Sequence, residues 1–480
     1  MTGPEAGAIR VDRVGWRYPH AEADSLSAIT LDVAPGEFVV VCGASGSGKS
    51  TALRLMNGLI PHFYTDGVLT GSVTVAGLDT AAAEPDALGA RTATVLQHPR
   101  RQFFTDTAPE ELAFAMENLG FPPAEIRRRV GERLAGLAGT VPAGQRLREL
   151  SGGQQQQVAI AAALAHGPEI LLLDEPSSNL SADAVRRLTE TLAELKAAGV
   201  TIVIAEHRLR YLQHLLDRVI VMRAGAIDVE WTAEQFRAVP DEELAREGLR
   251  GDVRRVELPG VPASGTGVVG ADPVPEGTDG LELTGIGCRL GGRRVLAIDR
   301  VRFAAGEVTA VRGVNGVGKT TLARVITGLQ RSAGQIRLDG TVLSRRARQR
   351  ASAIVMQDVQ RQLFTDSVEA EIELARRGSG QAPDAAAVLA ALDLTELAAR
   401  HPLSLSGGQQ QRLVVAAVRV SGRRIVIFDE PSSGVDRRHL ESISDQIRQV
   451  AAGGAVVLLI SHDEDLLALA ADRQLTLVPL

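Results

Sequence analysis

The feature that most constrains the fold is a set of short motifs that occurs twice, in the same order, along the 480-residue chain. The pairs are GASGSGKST with GVNGVGKTT (43–51, 313–321), QHPRRQFFTD with QDVQRQLFTD (97–106, 357–366), LSGGQQQQ with LSGGQQQR (150–157, 405–412), and ILLLDEPSS with IVIFDEPSS (170–178, 425–433). The same 33 positions separate Asp174 from His207 and Asp429 from His462. Such repetition indicates a tandem duplication of one domain, and the chain is long enough for two.

The predicted domains are residues 1–250 and 281–480, joined by a linker at 251–280. The linker is rich in Gly and Pro and has no hydrophobic period, which predicts a flexible connection. An ordered surface loop is the alternative. Within each domain, short apolar runs such as EFVVVC and TIVIAE are typical of parallel strands covered on both faces, and residues 185–199 have helical spacing. The predicted fold class is α/β.

Charge and cysteine content exclude several functions. The net charge of −6 argues against a protein that grips nucleic acid through a broad basic face. Cys42 and Cys288 lie far apart without metal-ligand spacing, so we expect both to be buried in a reducing compartment. The N-terminus has no signal pattern, and no apolar run reaches the ~18 residues of a membrane span. We expect a soluble cytoplasmic protein whose membrane role would require partners.

The glycine-rich motifs keep lysine in a chain that has almost none. Only Lys49, Lys196 and Lys319 occur among the 52 basic residues, and two of the three follow these glycines. Glycines let backbone N–H groups turn toward phosphate oxygens at a helix N-terminus, where lysine adds a compact charge on the β- and γ-phosphates. The broad planar fork of arginine does not fit inside such a loop. Ser50 and Thr320 can offer their hydroxyls to Mg²⁺.

An acidic pair ends a buried strand in each copy. The aspartates, Asp174 and Asp429, are candidates for the Mg²⁺ shell. The glutamates, Glu175 and Glu430, are candidates for orienting or activating the water that attacks the γ-phosphate.

A glutamine and a histidine accompany each acidic pair. Gln97 and Gln357 suit the metal shell or the attacking water. His207 and His462 each follow a strand at matched spacing and can contact a γ-phosphate.

The LSGGQ motifs contain no acid, base or nucleophile for chemistry. Each places a serine, Ser151 or Ser406, at a helix start followed by two glycines, which makes a second anion-binding helix end. Because the lysine loop already supplies one such end in each domain, the second suggests that the nucleotide is held between two domains.

Together these motifs resemble the ATP-binding cassette (ABC) ATPases, over nearly all of the chain except the linker. The resemblance implies two P-loop domains, each with a mainly parallel core sheet, an antiparallel β part and a helical subdomain that carries LSGGQ. It also implies ATP hydrolysis with Mg²⁺ at two sites, where each lysine loop faces the LSGGQ motif of the other domain in a head-to-tail sandwich. The expected catalytic residues are Glu175, His207, Glu430 and His462.

The resemblance assigns the residues that hold ATP and its ion. The nucleotide contacts are Tyr18, Gly43, Ala44, Ser45, Gly46, Ser47, Gly48, Lys49, Ser50, Thr51, Gln97, Ser151, Gly152, Gly153, Gln154, Gly313, Val314, Asn315, Gly316, Val317, Gly318, Lys319, Thr320, Thr321, Gln357, Ser406, Gly407, Gly408 and Gln409. The Mg²⁺ ligands are Ser50, Gln97, Asp174, Thr320, Gln357 and Asp429.

Three further stretches, VGWRYP, AEHRL and residues 97–120, are similar to the ATPases of energy-coupling-factor transporters, which import vitamins and metal ions. This similarity implies membrane-embedded scaffold and substrate-binding subunits as partners, no nucleic acid, and a place on the cytoplasmic face of the membrane. A monomer whose two fused domains form their own ATPase pair is expected. The alternatives are the fused ATPase of a sugar importer, disfavoured by the intact second lysine loop, and a soluble tandem ABC ATPase acting on ribosome or DNA, disfavoured by the short Gly/Pro-rich linker.

Three positions predict that the two ATP sites are not equivalent. The first copy has Tyr18, Ser181 and Gln157 where the second has Leu290, Asp436 and Arg412. Tyr18 stands where the family stacks an aromatic ring on adenine. In a head-to-tail sandwich all three departures fall at the site of Lys319, which is therefore predicted to be the weaker.

Aromatic residues follow each glutamine in a chain that has few of them. Phe103, Phe104 and Phe364 are predicted to be exposed and to dock short cytoplasmic helices of the membrane subunit. Packing inside a helical subdomain is the alternative.

Overall fold

The structure is a computed structural model that describes residues 7–19, 21, 23–97, 99, 102–142, 144–178, 180, 182–250, 256–269, 279–314, 316–356, 359–377, 384–432 and 436–480. The chain divides into two compact units, Met1–Asp252 and Val253–Leu480. Each unit contains one antiparallel sheet, one mainly parallel sheet and a set of helices. The predicted α/β fold class, with two domains of the same kind, is confirmed.

The first unit contains ten strands and nine helices among its described residues. The strands are β1 (Ile9–Arg17), β2 (Leu26–Val33), β3 (Phe38–Cys42), β4 (Val68–Val75), β5 (Leu78–Asp79), β6 (Thr92–Val95), β7 (Ile170–Asp174), β8 (Thr201–Ala205), β9 (Arg218–Arg223) and β10 (Ala226–Thr232). The helices are α1 (Lys49–Met56), α2 (Leu59–His62), α3 (Pro85–Arg91), α4 (Ala108–Asn118), α5 (Pro123–Leu137), α6 (Gly152–Ala163), α7 (Ala182–Ala197), α8 (Ala233–Ala238) and α9 (Asp241–Arg246).

The two sheets of this unit have different strand directions. One is antiparallel with the order β2-β1-β4-β5, and the other has the order β10-β9-β3-β8-β7-β6 and is parallel except for β10. Every residue of β3 and β8 is buried, which explains their unbroken apolar sequences. Because β3, β8 and β7 are parallel neighbours, their carboxyl ends lie side by side and bring the loops that follow them together.

The helical part of the first unit has its own apolar cluster. It is built from α4, α5, α6 and the turn before α6, and its buried members are Ala108, Leu112, Leu137, Leu147, Leu150 and Val158. The LSGGQ motif opens α6, so the predicted helical subdomain that carries this motif is present.

The second unit repeats this plan. Its strands are β11 (Ala263–Ser264), β12 (Val268–Val269), β13 (Leu281–Leu290), β14 (Arg293–Phe303), β15 (Val308–Arg312), β16 (Ala333–Leu338), β17 (Thr341–Val342), β18 (Ser352–Val355), β19 (Ile425–Asp429), β20 (Val456–Ile460) and β21 (Arg473–Leu477). Its helices are α10 (Lys319–Ile326), α11 (Arg345–Ala351), α12 (Val368–Arg376), α13 (Ala385–Ala391), α14 (Gly407–Val420), α15 (Arg437–Ala452) and α16 (Glu464–Ala470). The sheet orders are β11-β14-β13-β16-β17 and β12-β21-β15-β20-β19-β18.

Residues 256–269, part of the segment predicted as a flexible linker, belong to the second unit. β11 pairs with β14 and β12 pairs with β21. Val261, Ala263 and Val268 are buried in the apolar cluster of that unit. The structure differs here from the expected flexible connection because these small apolar residues, placed between Gly and Pro, have a core to pack against. Residues 251–255 and 270–278 lie outside the described part.

Two other expectations concern burial and membrane spans. Cys42 and Cys288 are both buried free thiols, as predicted. Among the described residues, no helix combines the length and the apolar character needed to cross a bilayer.

Candidate functional site

The first lysine loop, residues 43–48, joins β3 to α1 and is shaped by its glycines. Gly43 has a φ of +138°, and a Cβ there would lie 2.2 Å from the carbonyl oxygen of Met222. Gly48 has a φ of +105° and begins α1. Only glycine satisfies both constraints, so the backbone N–H groups of the loop can curve around an anion at the start of α1.

Lys49 lies across this loop. Its Nζ donates hydrogen bonds to the carbonyl oxygens of Gly43 (2.8 Å) and Ala44 (2.9 Å), and the side chain is only 5% exposed. The ammonium group is therefore already held where phosphate oxygens would meet the loop.

The second lysine loop follows β15, and its glycines have backbone angles close to those of the first loop. Gly313 has a φ of +142°, and the Nζ of Lys319 donates to its carbonyl oxygen at 2.7 Å. One difference is that the same Nζ lies 3.2 Å from Nε2 of His462. Burial lowers the pKa of Lys319.

Each unit pairs the hydroxyl after its lysine with the aspartate at a strand end. Ser50 donates to Asp174 at 3.1 Å, and Thr320 donates to Asp429 at 3.1 Å. Burial raises the pKa of Asp174 to about 6, with Glu175 adding to the effect, and burial also raises the pKa of Asp429. A cation beside these carboxylates would relieve the cost of their burial.

This donor set fits Mg²⁺ shared with a nucleotide. A hydroxyl and a carboxylate are hard oxygen ligands, and protein Mg²⁺ sites commonly use one or two carboxylates together with substrate phosphates. No group of three or more His, Cys, Asp or Glu side chains suited to a metal ion occurs among the described residues. Bound here, the ion would neutralise charge on the β- and γ-phosphates.

Glu175 is the centre of the first site. Its Oε2 accepts a hydrogen bond from Nε2 of Gln97 at 2.6 Å, and its Oε1 lies 3.1 Å from Nε2 of His207. Burial raises the pKa of Glu175, but the His207 imidazole and the Lys49 ammonium outweigh burial, so the net pKa is lowered. An ionised carboxylate flanked by an amide and an imidazole can accept a proton from a water and orient it.

Glu430 has different neighbours in the second site. Its Oε2 accepts hydrogen bonds from the hydroxyl of Ser461 (3.2 Å) and the backbone N–H of His462 (3.3 Å), and Nε2 of His462 lies 3.9 Å from its Oε1. Burial and the adjacent Asp429 raise the pKa of Glu430 to about 8. Both glutamates have a positive φ, +46° at Glu175 and +54° at Glu430, a conformation that costs about 1–3 kcal/mol in a residue other than glycine and that often occurs at active sites.

The LSGGQ serines begin α6 and α14. The Ser151 side chain accepts from the N–H of Gln154, and the Gln154 side chain accepts from the N–H of Ser151, which makes a capping box. Ser406 and Gln409 form the same box in the second unit. The first N–H groups of both helices are thereby fixed in direction, as an anion-binding helix end requires.

Tyr18 packs against the helix that begins with Lys49. Its hydroxyl lies 3.3 Å from that of Thr51 and accepts from Arg54 at 2.9 Å, and its ring meets the Tyr64 ring edge-on at 5.8 Å. Leu290, the last residue of β13, is 42% exposed. A tyrosine next to the first lysine loop is well placed for an adenine ring, and the stacking of Tyr18 on adenine stays a prediction.

The aromatic residues after the glutamines are only partly as expected. Phe104 is 73% exposed and Phe364 is 76% exposed. Phe103, in contrast, is half-buried against the apolar clusters of the first unit, so it is less exposed than predicted. Its side chain points into the helical part, where an aromatic ring buries a large apolar area.

Several predicted residues cannot be placed. Gln357, Asn315 and Ser181 lie outside the described residues. The roles assigned to them stay predictions.

Three buried glutamates near the site were missed by the sequence reasoning. Glu111 and Glu371 are 6% and 5% exposed, and each accepts backbone N–H bonds from the loop after a predicted glutamine. Glu206, directly before His207, is 2% exposed. A sequence signal for Glu111 and Glu371 did exist, because each copy has a glutamate seven residues after its exposed phenylalanine, Phe104 or Phe364.

Comparison with known proteins identifies the family of this chain. The sequence profile of the ABC transporter family matches residues 26–178 and 298–433, more than half of the chain. A Treponema denticola protein named "Putative ABC transporter ATP-binding protein" is 39% identical over 472 residues, covering 98% of this chain and 95% of that protein. The Bacillus subtilis "Putative HMP/thiamine import ATP-binding protein YkoD" is 29% identical, covering 98% of this chain and 89% of that protein. Among solved structures, cbiO1 from Clostridium perfringens, part of the ABC transporter complex cbiONQ, has a TM-score of 0.44 at 26% identity and covers 50% of this chain and 94% of its own.

The family and the site lead to the same activity. Members of the family bind ATP with Mg²⁺ and hydrolyse it. Both units of this chain contain the lysine loop, the acidic pair and a histidine, whose Nε2 lies 3.1 Å from Glu175 in the first unit and 3.9 Å from Glu430 in the second. This chain therefore belongs to the ABC transporter family, as an ATP-hydrolysing ATP-binding protein with two ABC ATPase domains.

Proposed function

We propose that this chain is the energy-coupling ATPase subunit of an importer of the energy-coupling-factor type, which moves a vitamin or a metal ion. It acts at the cytoplasmic face of the membrane with an integral-membrane scaffold subunit and a substrate-binding membrane subunit. The name of the YkoD relative, an import ATP-binding protein, supports the direction of transport.

The observation that carries the proposal is an exposed phenylalanine in the segment that follows the predicted glutamine of each unit, with its backbone N–H bonded to a buried glutamate. Phe104 stacks on Phe114, with ring centroids 4.6 Å apart, and stays mostly in water. Phe364 occupies the matching position in the second unit. An aromatic side chain fixed at the surface loses little further entropy when a partner covers it, which is typical of an interface anchor.

The loop that presents Phe104 is tied to the site at one end and to the helical part at the other. The N–H of Leu96 donates to Gln102 Oε1 at 2.8 Å, and the N–H of Phe104 donates to Glu111 Oε2 at 3.0 Å. Gln97, next to Leu96, contacts the catalytic Glu175. A membrane subunit that moves Phe104 therefore pulls on the glutamine that contacts this carboxylate, which is the coupling that transport requires.

We also propose that the two units complete each other's ATP sites, each lysine loop acting with the LSGGQ helix start of the other. The capped, oriented N–H groups at the starts of α6 and α14 support this assignment. The lysine loop of each unit already supplies one anion-binding helix N-terminus, so the LSGGQ helix start of that unit is left to serve the other nucleotide.

The docking surface is tested with Phe104→Asp and Phe364→Asp in the tagged full-length chain, co-expressed with the membrane proteins encoded beside it. The wild-type chain should co-purify with them. The double variant should lose at least ~10-fold of that recovery, since losing a buried aromatic anchor costs more than ~1.4 kcal/mol. Its ATPase rate without partners should stay at the wild-type level.

Phe63→Asp is the matched control, because Phe63 is a phenylalanine of similar exposure, 69%, in a different segment. It should co-purify normally. Equal recovery of the double variant and the wild-type chain would show that these rings do not contact the membrane subunit.

A further inference from the structure

Glu206 lies between the end of β8 and His207, and its carboxyl group has four hydrogen-bond donors around it. Oε1 accepts from the backbone N–H of Ser177 (3.2 Å) and from the hydroxyl of Tyr211 (2.9 Å). Oε2 accepts from the backbone N–H of His207 (2.8 Å) and of Arg208 (3.4 Å). Four donors fill the acceptor capacity of a carboxylate, and the side chain is only 2% exposed.

These bonds join the two chain segments that carry the reacting groups of the first site. Ser177 lies two residues after Glu175, on the loop that leaves β7. His207 lies on the loop that leaves β8, and its Nε2 is 3.1 Å from Glu175 Oε1. The carboxyl group of Glu206 therefore connects the start of the loop after β7 to the start of the loop after β8.

The imidazole of His207 depends on this tie for its direction. Its Nδ1 is buried and has no hydrogen-bond partner within the described part of the chain. The ring is thus oriented by its contact with Glu175 and by its backbone, whose N–H is fixed by Glu206. Tyr211 strengthens the arrangement: burial and the nearby Glu206 raise its pKa well above the ordinary value, so its hydroxyl stays a donor.

The second unit has no such carboxyl group at the matching position. Ser461 stands where the first unit has Glu206, and its hydroxyl donates to Glu430 itself while accepting from the N–H of Asp463. There Nε2 of His462 is 3.9 Å from Glu430 and 3.2 Å from Lys319. The closer contact between histidine and glutamate occurs in the unit that has Glu206.

We propose that Glu206 is a positioning residue of the first ATP site, which holds His207 against Glu175 by fixing both of their loops. The proposal rests on the assignment of Glu175 and His207 to hydrolysis. Glu206 itself does not contact the nucleotide. Its effect on turnover passes through His207.

The test compares Glu206→Gln, His207→Ala and the double variant in the purified full-length chain. Glutamine keeps the size of the side chain but offers one acceptor oxygen and turns an NH₂ group toward backbone N–H donors. The kcat of Glu206→Gln should fall toward that of His207→Ala, while the Kd for a fluorescent ATP analogue stays within about twofold, as for an interaction used only in the transition state.

The double variant distinguishes positioning from general stabilisation. If Glu206 acts through His207, adding Glu206→Gln to His207→Ala lowers kcat no further than about twofold, because coupled residues are not additive. Ser461→Ala, in the second unit, is the matched control, and any loss of kcat that it causes should persist in the His207→Ala background. A loss for Glu206→Gln that also persists in that background would overturn the proposal.

Tyr211→Phe keeps the proposal testable if Glu206→Gln does not fold. It removes one of the four donors and should give a smaller loss of kcat that also disappears in the His207→Ala background. If His207→Ala is slow but Glu206→Gln has the wild-type rate, the role of Glu206 is overturned while the site assignment stands. Tyr211→Phe is read in the same way where Glu206→Gln does not fold. A wild-type rate for His207→Ala overturns both this role and the site assignment. The assay contains no membrane partner, so a wrong transport proposal leaves it unchanged.

Discussion

Glu175 and Glu430 occupy matching positions after β7 and β19, yet their surroundings favour opposite protonation states. His207 and Lys49 lower the pKa of Glu175 despite its burial. Burial and Asp429 raise the pKa of Glu430 to about 8. Without nucleotide, the surroundings of Glu175 therefore favour its ionised form and those of Glu430 favour its protonated form.

This difference predicts opposite effects on stability without nucleotide or Mg²⁺. Glu430 is protonated in the folded state but ionised in the unfolded one, so its presence costs stability as pH rises from about 4.5 toward 8. Glu430→Gln should raise the unfolding temperature of the nucleotide-free chain, and more at pH 8 than at pH 5. Glu175, with a lowered pKa, is stabilising above its unfolded pKa, so Glu175→Gln should lower the unfolding temperature at pH 7. Calorimetry at pH 5, 7 and 8 checks both signs, and a pH-independent gain for Glu430→Gln would contradict the first.

Changing both glutamates together addresses hydrolysis. The variant with Glu175→Gln and Glu430→Gln should still bind ATP with Mg²⁺ because the lysine loops are untouched. Phosphate release should fall by at least ~10²-fold, the usual loss when a general base or water-orienting group is removed. Phosphate release at near wild-type rate would mean that the base has been assigned wrongly.

Part of the site could be predicted from the sequence because its residues have fixed spacing along a loop and its helix. The contacts of Lys49 with its own loop follow from that spacing. Glu206 could not be found in this way. Its four donors come from two loops about 30 positions apart, and a buried carboxyl group paired with backbone N–H groups leaves no pattern in composition or period.

At the scale of elements, a buried glutamate in α4 and its counterpart in α12 hold the loops that present the exposed phenylalanines. Oε2 of Glu111 accepts from the N–H groups of Phe104 and Thr105 and from the Thr105 hydroxyl. Glu371 makes the same three bonds to Phe364 and Thr365. The repetition of this arrangement indicates that the direction of the loop matters in both units.

Removing this anchor should loosen the loop without unfolding the unit. In Glu111→Ala, hydrogen exchange of the Phe104 and Thr105 amides should rise by at least ~10-fold, because local opening then costs about 1.4 kcal/mol less. Glu110→Ala is the control, since Glu110 is exposed and bonds only to Thr107 among the described contacts. Unchanged exchange in Glu111→Ala would show that the loop is held by other contacts.

Element prediction succeeded where burial leaves a long signal. β3, β7 and β8 are covered on both faces and were expected from their apolar runs. β11 and β12 contain two residues each, which is too short for any period to show. Phe103 and Phe104 illustrate the same limit, since adjacent residues of one type have different surroundings and only packing decides which is the more buried.

At the scale of the whole molecule, two copies of one domain have diverged around a shared chemistry. The first unit has His207 in contact with Glu175 and a tyrosine beside the helix that begins with Lys49. The second has a glutamate whose pKa is raised by burial and by Asp429, and it has Leu290 at the position of the tyrosine. These differences agree with the sequence prediction that the site of Lys319 is the weaker one, which stays untested.

Separate substitutions measure this inequality. Glu175→Gln should reduce steady-state turnover much more than Glu430→Gln, because the first site has the closer histidine–glutamate contact and the tyrosine expected to stack on adenine. An aromatic stack on adenine is worth about 1–3 kcal/mol, so the site without it should also hold nucleotide ~5- to 150-fold less tightly. Turnover and nucleotide affinity of the two single variants check this expectation, and equal losses would contradict it.

Two short strands of the second unit, β11 and β12, cover strands of its two sheets. β12, with Pro259 and Val261 before it, pairs along β21, and β11 pairs with β14, so each of these strands has a neighbour on its outer side. A fragment that starts at residue 281 would present the backbone N–H and C=O groups of β21 to any other strand, whereas one that starts at residue 256 keeps them paired. Light scattering of the two fragments at equal concentration should therefore find higher-order aggregates for 281–480 and a single small species for 256–480.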